Sequence, residues 1–229
     1  MDELDFAVLG VEPMERGLTP LLQFKVRASA HSPDQNIEAI LLHAQIQLEC
    51  PKRRYNAEEQ ENLVELFGPP EQWGHTLRNR LWAHANATMG AFTGSTEFLL
   101  PVACSYDLNL GVTKYFFGLE AGEVPVLFLF SGSVFVTGES GALQVRRLSW
   151  NKECSFRIPL TVWREMMERF YPNSGFVSLR RDNLERLYAY RRKHGLALWD
   201  ATIEDLLERA ETACFEAKIK RVANEELAV

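Results

Sequence analysis

Apolar and polar residues alternate through most of the first two thirds of the chain. Ile40, Leu42, Ala44, Ile46, Leu48 and Cys50 fall on one side, and Leu41, His43, Gln45, Gln47 and Glu49 on the other. This period of two predicts a strand with one face in a core. Leu22, Phe24 and Val26 alternate with Gln23, Lys25 and Arg27 in the same way. The link between the two runs, HSPDQN, is turn chemistry, so they are expected to pair antiparallel. Cys104, Tyr106, Leu108, Leu110 and Val112 against Ser105, Asp107, Asn109 and Thr113 predict a further strand. The run VPVLFLFSGSVFV is apolar at nearly every position, as in a strand buried on both faces, with Gly132 as a bulge or bend. Asp5 to Val11, Glu97 to Val102, and ALQVRRL after the TGESG turn bring the expectation to seven to nine strands before residue 159. Long helices do not alternate with these strands. The fold class is therefore α+β: an antiparallel β-sandwich or open barrel over residues 1–158, with a C-terminal helical appendage over 159–229.

Helical spacing appears in two places. An insertion at 56–79 places Leu63, Leu66 and Phe67 one turn apart, stops at Gly68-Pro69-Pro70, and resumes with Trp73 and Leu77. From Pro159, Trp163, Met166, Met167 and Phe170 form a stripe that Pro172 ends. A second helix carries Leu184, Leu187 and Tyr188. A third, from about Trp199, carries Ile203, Leu206, Leu207, Ala210, Cys214 and Ala217. The three are expected to form an appendage packed on the sandwich, each burying its single apolar face on its neighbours, the sheet or a partner chain, with the last residues, NEELAV, loose.

The segment from Leu179 to Gly195 holds six Arg or Lys against two acids, which raises the question of nucleic acid. Asp182 and Glu185 fit an N-cap and its capping box. Arg191, Arg192, Lys193 and His194 fall in the last turn, opposite the negative end of the helix dipole, and Gly195 fits the C′ position. Each charge thus has a structural use, and no second basic patch accompanies them. The whole chain carries a formal charge of −6 over 229 residues, pI about 5.5, which gives no global attraction to nucleic acid or anionic lipid. Neither is expected as a partner.

The start of the chain, with Asp2, Glu3 and Asp5, lacks the basic and long apolar regions of a secretory signal, and the longest apolar run is too short to span a bilayer. Cytoplasmic residence without membrane insertion is expected. Cys50, Cys104, Cys154 and Cys214 stand far apart with no C-x-x-C pair, so they are expected to be buried structural thiols without metal. His31, His43, His75, His84 and His194 show no metal-ligand spacing. A Cys104 nucleophile with His43 as base is the one pairing that folding could assemble, although mid-strand side chains seldom line a cleft. The glycine runs lack the phosphate-loop pattern, and Glu204, Asp205, Glu208 and Glu211 fit a solvated helix face. No catalytic, cofactor-binding or metal residue is assigned.

Surface aromatics and arginines remain. CPKRRY places Arg53 and Arg54 just before the insertion that carries Trp73, with Trp82 following, and Arg and Trp are the residues that most often anchor protein interfaces. Arg53, Arg54, Trp73 and Trp82 are therefore the candidate protein-binding residues, with the arginines expected to project beyond the sheet edge. The alternative is that both tryptophans plug an end of the sandwich.

LPVACSYD, LFGPPEQW, FSGSVFV and the run from SFRIPLTVW to LYAYRR resemble a bacterial family of unknown function, from Phe6 to about Leu207. Genes of that family lie beside those for an uptake [NiFe]-hydrogenase, so the resemblance implies an accessory or assembly role with the hydrogenase or its maturation factors as partner. In its antiparallel strands followed by packing helices, and in its acidity, the chain is also similar to the export chaperone SecB. The expectation is a non-enzymatic, cytoplasmic protein-binding or accessory protein without cofactor, able to form homo-oligomers. The alternatives are an enzyme or small-ligand binder with a pocket between sheet and helices, and a SecB-like chaperone.

Overall fold

A computed structural model describes residues 4–32, 34, 36–105, 109–138, 141–149 and 151–226, with side chains described as far as residue 215. In chain order the elements are β1 (Leu4–Pro13), β2 (Leu21–Ala30), β3 (Asn36–Leu48), α1 (Ala57–Asn62), α2 (Val64–Phe67), α3 (Trp73–Thr76), β4 (Arg80–Met89), β5 (Phe92–Thr93) and β6 (Ser95–Ala103). There follow α4 (Leu110–Gly118), β7 (Glu123–Thr137), β8 (Leu143–Arg147), β9 (Glu153–Pro159), α5 (Leu160–Phe170), α6 (Arg181–Lys193) and α7 (Trp199–Glu226). One antiparallel sheet has the order β1-β2-β6. The other runs β4-β3-β7-β8, with β5 on β3 and β9 on β7. Among the described residues the strands form no closed barrel.

The alternation in β2 and β3 exists because the inner faces of the two sheets share one core. Phe6 of β1 meets Phe130 of β7 at 4.6 Å, and Phe24 of β2 meets Phe128 of β7 at 5.1 Å. Fully burying each such side chain stabilises the fold by roughly 1.5–3 kcal/mol. The two strands do not pair with each other. β2 has β1 and β6 on its edges, and β3 has β7 and β4, so HSPDQN carries the chain from one sheet to the other. Alternation reveals which face is buried but not which strand lies alongside.

β7 is the central strand of the larger sheet, but it is not buried on both faces: Val126, Phe128, Phe130 and Val134 are buried on one face, while Leu127, Leu129 and Phe135 on the other are half-buried. Gly132 at its middle has φ 149°, and a Cβ there would fall 2.1 Å from the Leu41 carbonyl oxygen. The register runs unbroken through the Leu42–Gly132 pair, so the glycine permits close approach of β3 rather than forming a bulge.

The strand expected from Cys104 to Thr113 is replaced by α4 over its second half. Asn109 caps it by accepting from the Val112 N–H at 3.1 Å, and Val112, Tyr115 and Phe116 are buried at i, i+3 and i+4. The alternation that ends at Val112 fails at Lys114 and Tyr115, where the spacing of Val112, Tyr115 and Phe116 is already that of a helix. Tyr106, Asp107 and Leu108 lie outside the described residues, as do Pro33 and Gln35 of the first turn, Glu139 and Ser140 of TGESG, and Leu227 to Val229 at the end.

The chain divides into two compact units at Gly175/Phe176, not at 158/159. α5 belongs to the first unit because its stripe packs into the sandwich core, with only Phe170 partly buried. Trp163 stacks on Phe116 of α4 at 4.7 Å, and Met166 and Met167 are buried. The second unit contains α6 and α7. In α6 the N-cap is Arg180, without a side-chain cap, and Asp182 lies inside the first turn, paired with Arg180 at 3.0 Å. The basic last turn and Gly195, at φ 66°, are as expected.

Candidate functional site

Arg53 does not project from the sheet edge. A short 3-10 turn, Cys50–Lys52, follows β3 and turns Arg53 inward, where its side chain is 9% exposed. All five of its N–H donors are used. Nη1 and Nη2 clasp the Glu59 carboxylate at 2.7 Å each, and the others reach the carbonyls of Glu123 (3.2 Å), Ala121 (2.6 Å) and Arg54 (3.1 Å). Glu59 is 4% exposed and also accepts the backbone N–H of Glu120 at 2.8 Å and of Asn56 at 3.3 Å, the latter closing the capping box of α1. Burial alone would raise the Glu59 pKa, but the Arg53 hydrogen bonds, the Glu120 N–H and the Arg53 charge outweigh it and hold the carboxyl below its ordinary value. The pair ties α1 to the segment before β7.

The tryptophans serve the same plug. Trp82 is 6% exposed, edge-on to Phe24 at 6.0 Å and against Phe116 at 5.4 Å. Trp73 is half-buried against Tyr55 and Phe67, and its Nε1 donates to the Gly68 carbonyl at 2.8 Å. Of the four residues assigned from sequence, Arg54 alone is exposed. Arg53 and Trp82 are built into the structure of the first unit, and the four do not form one surface cluster.

The second unit presents the opposite situation. α6 and α7 meet through Tyr190, whose hydroxyl donates to the Asp205 carboxylate, through Arg209, which lies over the Tyr190 ring at 5.9 Å while pairing with Asp205 within α7, and through Tyr188 packed edge-on to Trp199 at 4.9 Å. Arg191 lies over the Trp199 ring at 4.6 Å, so one residue of the basic last turn is held by aromatic faces as well as by the helix dipole. The two helices only partly bury their apolar stripes on each other. Leu184 and Tyr188 (42%) on α6, and Ile203 and Leu207 (56%) on α7, are exposed, while Leu187 and Leu206 are half-buried. Arg180, Arg181, Arg186 and Arg192 are exposed or nearly so beside the α6 pair. Periodicity identified these side chains, but it cannot tell an apolar face that α6 and α7 cover for each other from one they leave open.

A cavity of about 470 Å³ lies in the first unit between β4, the end of β6, α4 and α5, walled by Trp82, Val112 and Trp163 among others. Its polar lining includes His84, Thr113, Asn109 and the Cys104 thiol. Asn109 spends its amide N–H donors on the Leu81 and Trp82 carbonyls (3.1 and 3.2 Å). Cys104 donates to the Val102 carbonyl at 3.3 Å, and burial pushes its thiol up to about 12, far from the thiolate a nucleophile needs. The cavity does not include His43, so the geometry gives no support to a Cys104–His43 nucleophilic pair. Burial likewise pushes the Cys50 and Cys154 thiols up to about 11. Cys214 is exposed, unlike the buried thiol expected there.

Sequence spacing missed one constellation. β3 and β4 bring His43 opposite Asn86 and Gln45 opposite His84, which places both imidazoles on the outer face of the larger sheet. His84 Nδ1 lies 3.2 Å from His43 Nε2, and the rings stack 5.1 Å apart at 17°. Only a strand register spanning the 56–79 insertion could have shown it. Among the described residues no three His, Cys, Asp or Glu side chains converge as a metal centre, and no described helix is long and apolar enough to cross a membrane.

Comparison with solved structures finds β-glucosidase from Kluyveromyces marxianus at 10% identity and TM-score 0.24, over 67% of this chain but 14% of that one. It also finds the putative ApaA protein from Bordetella pertussis at 9% identity and TM-score 0.20, over 69% of this chain and 95% of that one. Likeness at this level carries no functional argument, and no curated protein matches the sequence. One match spans both the sandwich and most of the helical unit: over residues 1–214 the chain belongs to a family of unknown function, DUF6084.

Proposed function

We propose that the protein is a non-enzymatic binding or accessory protein that engages another protein through the open apolar faces of α6 and α7. The observation that supports this reading is the exposure of Leu184, Tyr188, Ile203 and Leu207 on two amphipathic helices. Apolar area left in water at four such side chains forgoes burial worth roughly 25 cal/mol per Å², which a partner recovers. Exposed Arg181, Arg186 and Arg192 match an apolar partner surface rimmed by carboxylates. The sequence resemblance nominates the uptake [NiFe]-hydrogenase or its maturation factors, in the cytoplasm. The test is titration of the purified chain against each purified candidate, following deuterium exchange. The reading expects protection confined to α6 and α7, whereas protection elsewhere, or self-association that buries these faces between two copies, would contradict it.

A second reading is favoured by the cavity beside α4. Its volume falls in the roughly 300–1,000 Å³ range of small-molecule sites, and apolar walls surround a few polar groups. It would suit a small aromatic molecule. Saturable binding of indole that is lost on Ala103→Phe, with the fold retained, is the expected result; binding unchanged by that substitution would place the probe elsewhere.

A further inference from the structure

We propose that His43 and His84 form an open site for a divalent first-row transition-metal ion on the outer face of the larger sheet. Asn86 Oδ1 lies 2.8 Å from His43 Nδ1, and an amide oxygen can only accept, so Nδ1 of His43 carries the proton. Its Nε2 then keeps a lone pair directed at His84. This is the arrangement by which outer partners orient metal-binding imidazoles, fixing the tautomer through the nitrogen that does not bind.

The spacing fits. Two nitrogens bound to one tetrahedral zinc ion at about 2.0–2.1 Å stand roughly 3.3–3.4 Å apart. His43 Nε2 and His84 Nδ1 are 3.2 Å apart without the ion, joined by a single proton. To bind, His84 moves its proton from Nδ1 to Nε2 through solvent, and both rings turn so that their lone pairs meet the cation to one side of the line that the shared proton occupied. No proton is lost overall, and the metal charge stays in contact with water. His84 is exposed and His43 half-buried, so the face is open to entry. With two protein ligands, water fills the remaining positions, and a further ligand can exchange there. Nitrogen ligands favour Cu²⁺ over Zn²⁺ by the usual affinity order and disfavour Mg²⁺.

The test is calorimetric titration of the full chain with CuCl₂ and, separately, ZnCl₂. One equivalent is expected to bind, with Cu²⁺ tighter and MgCl₂ silent, and frozen Cu²⁺ samples should show spin resonance from two imidazole nitrogens. His43→Ala and His84→Gln should each weaken binding more than tenfold, and Asn86→Leu by about 10–100-fold. His31→Ala, whose ring pairs with Asp5 elsewhere, should leave it unchanged. Circular dichroism establishes that each variant is folded, and His84→Gln keeps a polar side chain at an exposed position should His43→Ala not fold. Absence of binding to the wild type, or one equivalent retained in folded His84→Gln, overturns the site; unaltered affinity in Asn86→Leu overturns the role given to Asn86.

Discussion

Removing the Arg53 guanidinium should damage the fold rather than a binding surface. In Arg53→Ala the Glu59 carboxylate stays 4% exposed but loses both charge-assisted bonds, keeping only the N–H groups of Glu120 and Asn56. The carbonyls of Ala121 and Glu123 lose a donor at the same time. Breaking a buried pair from one side costs about 3–5 kcal/mol, because a charge is left without compensation. At about 2–4 °C per kcal/mol for a chain of this size, the melting temperature should fall by about 6–20 °C. Urea unfolding of Arg53→Ala, Glu59→Gln and the double variant measures this. The double variant should lose less than the sum of the two, since neither leaves the other's charge stranded. Arg54→Ala, at an exposed position, should stay within about 0.5 kcal/mol of wild type. An Arg53→Ala protein as stable as wild type would refute the reasoning and return Arg53 to the surface role its sequence context suggests.

Glu59, whose folded pKa is depressed, contributes stability that is present above its unfolded value of about 4.3 and is lost as the pH falls through the folded value. Urea midpoints between pH 6 and 3 should therefore decline more steeply in wild type than in Glu59→Gln. Gly132→Ala must adopt φ 149° with its Cβ 2.1 Å from the Leu41 carbonyl oxygen, and should lose about 1–3 kcal/mol from backbone strain and more from the clash, read as a lowered melting temperature. With a thiol reagent at pH 8, Cys214 should react at once, while Cys50, Cys104 and Cys154, pushed up to about 11, 12 and 11 by burial, should wait for denaturant; two fast thiols would contradict the burial.

Period-two alternation located β2 and β3 and their buried faces, because side chains in a strand obey the pleat wherever one face meets a core, and a continuous apolar run located β7. Partner choice was not legible: β2 and β3 read as a hairpin, yet β2 pairs with β1 before it and with the distant β6, and β3 with the distant β4 and β7. The tract after Cys104 misled because alternation as far as Val112 runs on past the Asn109 cap, and the helical spacing of Val112, Tyr115 and Phe116 shows only beyond it. At the candidate site, residue type was legible and direction was not. Arg53 and Trp82 have interface chemistry, but the turn after β3 and the α4 plug draw both inward. The stripes of α6 and α7 were visible as periodicity, and their exposure depends on what packs over them, which spacing does not encode. The His43–His84 contact depends on a register set across 41 residues and an insertion.

The open faces of α6 and α7 carry the central claim, and site-specific photo-crosslinking in living cells tests it without assuming a partner. A photoreactive amino acid is placed at Tyr188 or Leu207, and in parallel at Arg54 or at Leu99, which is exposed on β6. The account predicts a discrete adduct with one other polypeptide from both helix positions and none from the two control positions. An absence of adducts at Tyr188 and Leu207, or the same unselective products as at Leu99, would contradict it.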